Sequence, residues 1–93
     1  MHGYADQREQ LLTRLRRIEG QVRGLQRMLE EDRYCIDVLT QISSATSALH
    51  GVAMSMLEDH VRHCVRAAID EGPETADAKI DEALEVIARM MKR

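Results

Sequence analysis

The chain is predicted to be all-α, a three-helix protomer with a long central helix, on three observations. Apolar residues recur at alternating intervals of three and four through two long stretches, the repeat of a helix face. Tyr4 and Tyr34 are the only aromatic residues, so Leu, Ile, Val, Met and Ala must build the core, and that is a helical palette. The single proline, Pro73, follows Gly72 at a strong break in the pattern.

The first helix is predicted over about residues 5–31, with Leu11, Leu15, Ile18, Val22, Leu25 and Leu29 on its apolar face. Gly20 and Gly24 lie inside it, and each costs about 1 kcal/mol of helix propensity relative to Ala. Their presence predicts a close crossing by another backbone or by a DNA phosphate. The run Glu30-Glu31-Asp32 opposes the negative end of this helix but suits the start of the next, with Asp32 as its N-cap. The second helix is predicted over about 34–70. Its seam is Cys35, Leu39, Ile42, Thr46, Leu49, Ala53, Met56 and His60, and Gly51 is tolerated within it at a mild cost. Gly72 then ends the long helix in the C′ role and Pro73 starts a third, about 74–91, carrying Ile80, Leu84, Ile87 and Met91.

Residues 1–93 are read as one domain. A chain this short buries only about 60 to 65% of its unfolded surface, so help from a partner chain is expected. No apolar run is long enough to span a membrane, and Met1-His2-Gly3-Tyr4 is too polar to open a signal peptide. A cytoplasmic location follows as the expectation, and there two cysteines read as free thiols, metal ligands or redox sensors before a structural disulfide. The formal net charge of −3 hides an asymmetry, because residues 8–27 carry six arginines against two acids. Arg8, Arg14, Arg16, Arg17, Arg23 and Arg27 make either a solvated helix face, the default, or a phosphate-gripping surface.

The residues with the most chemistry are Cys35, His60 and Cys64. His60 and Cys64 stand four apart, so on a helix they project from one face and grip one small object. Cys35 lies 25 positions upstream, roughly 38 Å along a continuous helix. A site using all three therefore needs an antiparallel second copy, and two-fold symmetry makes two such sites. Two thiolates and an imidazole match a soft, low-coordinate ion such as Cu(I); zinc completed by water or a carboxylate is also open, as is a plain core pair. His63 points about 100° away from the pair, and His2 and His50 have weaker claims still. Met54 and Met56 fall on different faces and Met90 and Met91 are adjacent, so the methionines read as packing. The chain shows no Gly-rich anion hole and is too small to enclose a substrate pocket, which argues against an enzyme.

Three stretches carry a resemblance: Leu12-Thr13-Arg14-Leu15-Arg16-Arg17-Ile18-Glu19-Gly20-Gln21-Val22-Arg23-Gly24-Leu25, Tyr34 to Ser43, and Leu57-Glu58-Asp59-His60-Val61-Arg62-His63-Cys64. They resemble the bacterial copper-sensing repressors of the CsoR family over nearly the whole chain. The resemblance implies an antiparallel dimer with a four-helix bundle core that pairs into a tetramer. It implies binding to operator DNA without a helix-turn-helix, and release when Cu(I) binds between subunits. Cys35, His60 and Cys64 match the family's copper ligands one for one; Tyr34 and Glu82 match partners of the ligand His, and Arg14 matches a DNA contact, with Arg16, Arg17 and Arg23 beside it. Nickel and cobalt sensors of the family carry His where Cys64 stands, formaldehyde sensors lack the second Cys, and persulfide sensors lack the His. Where many relatives place a second basic residue in the long helix, this chain has Gly51 beside His50. Two other readings compete: a thiol-based redox or persulfide-sensing repressor on the same scaffold, and a helical oligomerisation module that binds no DNA.

Overall fold

A computed structural model describes residues 4–92, and every element in it is helical. A 3₁₀ turn, Ala5–Gln7, leads into α1, Arg8–Glu30. Helix α2, Cys35–Asp59, passes without a break into a π-helical segment, His60–Val65, and that segment passes into α3, Arg66–Glu71. Helix α4 runs Pro73–Met91. The three predicted helices are present, with the central one uninterrupted from Cys35 to Glu71 but not uniformly α. Among the described residues, no helix is long and apolar enough to cross a membrane. Met1 and His2 lie outside the described residues.

The break between α1 and α2 is built differently from the expectation. Asp32 is not the N-cap of α2: its φ is 53°, in the left-handed region. The Arg33 N–H donates to the Met28 carbonyl at 2.9 Å and the Asp32 N–H to the Leu29 carbonyl at 3.2 Å, the two bonds of a Schellman closure. Asp32 therefore ends α1. An aspartate serves there because its short polar side chain tolerates the left-handed conformation better than most residues do.

Two compact units partition the chain, and the first is residues 7–54. Its buried residues fall at seven-residue spacing, Leu11 and Ile18 on α1, then Val38, Ala45 and Val52 on α2. The Arg14 guanidinium lies over Gly51, where an ideal Cβ would sit 2.7 Å from Nη2. That contact lies between the two arms of an antiparallel helix pair that turns at Asp32. A Cβ built at Gly20 or Gly24 would meet nothing within 4 Å, so the crossing expected there does not occur within the chain.

The predicted seam of α2 does not face α1. Leu39, Ile42, Leu49 and Met56 keep between 38% and 57% of their surface exposed, on a stripe beside the buried one. A helix with one apolar stripe buried and a second open has the pattern of a bundle helix.

The second unit contains, among the described residues, 4–6 and 55–92, and in it α4 folds back on α3 and on the π segment. Gly72 makes the reversal with φ 134° and ψ 166°, a conformation open to glycine alone, while its N–H reaches the Ala68 and Ile69 carbonyls. Pro73 then supplies a pre-set φ at the first helical position of α4. The buried apolar positions here are Val65, Ala68, Ala76 and Ala83, mostly small side chains that let two helices approach closely.

A candidate metal centre and an arginine face

His60 opens the π segment and Cys64 lies four residues on, inside the same six-residue stretch. Both are half-buried, in a segment against which α4 packs. No Gly or Pro occurs between His60 and Val65, so nothing in the local sequence forces the wider winding. A π segment replaces the ordinary i→i−4 ladder by i→i+5 bonds at a cost, and such segments concentrate at functional sites. The Arg62 guanidinium bonds back to Glu58 at 3.0 Å, an exposed pair that contributes little to stability. His63 is exposed, as the spacing predicts for a residue off the His60–Cys64 face.

Cys35 is the first residue of α2 and is exposed, at the head of the open apolar stripe. His60 follows the last residue of that helix, so the two occupy opposite ends of one continuous element. Among the described residues, no three His, Cys, Asp or Glu side chains come together as a metal-holding group, and both cysteines are free thiols. The chain thus brings His60 and Cys64 onto one helical turn and leaves Cys35 apart from them.

Tyr34 is exposed, immediately ahead of α2, and its carbonyl accepts the Val38 N–H at 3.2 Å. Glu82 lies on α4, where its carboxylate meets Lys79 Nζ at 3.7 Å. Asp59, directly before His60, is buried to 5% exposure and continues the seven-residue series of Val38, Ala45 and Val52. Its burial was hidden because an acid stands there at an otherwise apolar position.

The four arginines divide into two kinds. Arg16, Arg17 and Arg23 are exposed on α1, and Arg23 pairs with Glu19 at 3.0 Å. Arg14 is half-buried and lies against the α2 backbone at Gly51. Chemically, α1 offers guanidinium forks for phosphate, and the π segment offers one thiol and one imidazole for a soft metal.

Residues 7–89 match the family model of metal-sensitive transcriptional repressors. The chain is 56% identical over 91 residues to the copper-sensing transcriptional repressor RicR of Mycobacterium tuberculosis, covering 98% of this chain and 95% of that protein. Among solved structures it resembles the copper-sensing repressor CsoR with Cu(I) from Geobacillus thermodenitrificans, with a TM-score of 0.87 and 45% identity over 95% of this chain and 90% of that one. It also resembles the nickel-responsive transcriptional regulator InrS, with a TM-score of 0.74 and 41% identity over 83% of this chain and 88% of that one.

Proposed function

The chain belongs to the metal-sensitive transcriptional repressor family, regulators and not enzymes, and from that premise we propose that it is a Cu(I)-sensing repressor. In this reading the whole 93-residue chain acts as one cytoplasmic DNA-binding and metal-sensing unit, assembled as an antiparallel dimer that pairs into a tetramer. The metal-free form holds operator DNA, and the form with Cu(I) at an intersubunit Cys-His-Cys site lets it go.

The observation that carries the reading is the relation of the three donors to one helix. His60 and Cys64 share a turn, while Cys35 heads the same continuous element on its open apolar stripe. When two copies lay those stripes together antiparallel, Cys35 from one protomer comes beside His60 and Cys64 from its partner. The donor set fits the ion, since two soft thiolates and one imidazole suit low-coordinate Cu(I) and fall one short of a closed zinc site. The resemblance favours copper over nickel, because Cys64 stands where it implies a His in nickel sensors. Bound there, Cu(I) supplies a cross-link between subunits. Tyr34 and Glu82 orient His60; for Glu82 this means exchanging its exposed Lys79 partner for the imidazole. Arg14, Arg16, Arg17 and Arg23 grip DNA phosphates, and a shift of the π segment against α4 carries the signal toward the helix pair.

Linkage constrains the switch: Cu(I) lowers DNA affinity only as far as DNA lowers Cu(I) affinity. The test is a Cu(I) titration against a competing chelator, repeated with labelled DNA selected by this protein from a random pool. Tight Cu(I) binding that weakens as DNA is added supports the reading. Weak Cu(I) binding, or DNA retained at saturating Cu(I), overturns it.

A further inference from the structure

We infer that Gly51 is a positioning residue for Arg14: the missing side chain at 51 makes a seat on α2 that holds the Arg14 guanidinium at one place on the DNA-facing surface. The inference rests on the reading of α1 as the phosphate-gripping face and adds to it a residue with no charge of its own.

Three observations carry it. First, the seat is filled. An ideal Cβ at Gly51 would stand 2.7 Å from Arg14 Nη2, closer than real Cβ atoms come, so any other residue at 51 displaces the guanidinium. Second, Arg14 differs from its neighbours, being half-buried where Arg16, Arg17 and Arg23 are exposed. Third, the seat is specific to this glycine, because Gly20 and Gly24 have nothing within 4 Å of a built Cβ. Gly51 therefore has a contact that accounts for a helix-weakening residue in the middle of α2, and the other two do not.

The consequence for DNA binding is preorganisation. A long arginine side chain loses rotamer freedom when it grips phosphate, and a fork already held in place loses less.

The experiment is a double-mutant cycle on DNA affinity with wild type, Gly51→Ala, Arg14→Ala and the double variant, each measured across a salt series and each titrated with Cu(I). Alanine favours the helix, and only a flexible side-chain end must move to admit it, so Gly51→Ala is expected to melt at or above the wild-type temperature. The expected result is roughly three- to tenfold weaker DNA binding for Gly51→Ala, unchanged Cu(I) affinity, and little further loss when Arg14→Ala is added to it. Wild-type affinity in Gly51→Ala, or losses that simply add in the double variant, overturns the seat. Failure of Arg14→Ala to weaken wild-type binding or to lower the salt slope by about one overturns the parent reading of α1 instead.

Discussion

Two residues carry the turns of this chain by opposite means. Gly72 adopts φ 134° and ψ 166°, where any side chain is strained, so Gly72→Ala should destabilise the protein by about 1–3 kcal/mol. Asp32 adopts φ 53°, where glycine is more comfortable than aspartate, so Asp32→Gly should stabilise by about 0.5–1 kcal/mol. Thermal melts at one fixed protomer concentration check both, because assembly makes the melting temperature concentration-dependent. Gly72 was legible in the sequence, since a Gly-Pro pair between two periodic runs has one common meaning. Asp32 was not, because the same short polar side chain suits an N-cap and a left-handed C′ position, and the choice depends on where the preceding helix stops. At the candidate site, the donors were legible as types and spacing. Substituting His60→Ala should leave DNA binding within about twofold while removing the Cu(I) response, as gel shifts with and without Cu(I) would report. A thiol-based switch predicts the opposite, with sensing intact in His60→Ala.

At the scale of elements, the apolar repeat placed all three helices to within three residues at each end, and the reason is their length and regularity. What the repeat concealed is how α2 divides its work. Val38, Ala45 and Val52 are buried within the protomer, whereas Leu39, Ile42 and Leu49 remain open beside them. Periodicity marks both stripes alike, and only their burial in the fold tells them apart. A charge on the open stripe should therefore act on assembly. Ile42→Glu is expected to shift sedimentation to a smaller species, or to make helicity strongly concentration-dependent, while Ser47→Glu on the exposed side of α2 leaves both unchanged. The π segment was equally hidden, because His60–Val65 contains no Gly or Pro to announce it. Its position over both candidate ligands makes α2 the element through which a metal-driven change would pass, since a π segment can be traded for α winding without breaking the helix.

For the whole molecule, the proposed site and the open stripe of α2 both call for a second copy. Open apolar positions run the length of α2, and the three soft donors occupy the two ends of one continuous helix. Helix length therefore pointed to the proposed intersubunit site before any coordinates, because a continuous helix separates Cys35 from His60 and Cys64 of its own chain. What the sequence could not supply is the approach of Arg14 to Gly51, because that depends on which helix lies over the glycine. The central claim is that each site draws Cys35 from one chain and His60 with Cys64 from the other, and complementation tests it directly. Cys35→Ala and Cys64→Ala protomers, each expected to bind Cu(I) weakly alone, are refolded together, the mixed dimer is isolated by two different tags, and Cu(I) is titrated against a chelator. An intersubunit site predicts one tight Cu(I) per mixed dimer, assembled from the intact half of each chain. A mixed dimer that binds no more tightly than the two parents would contradict the account.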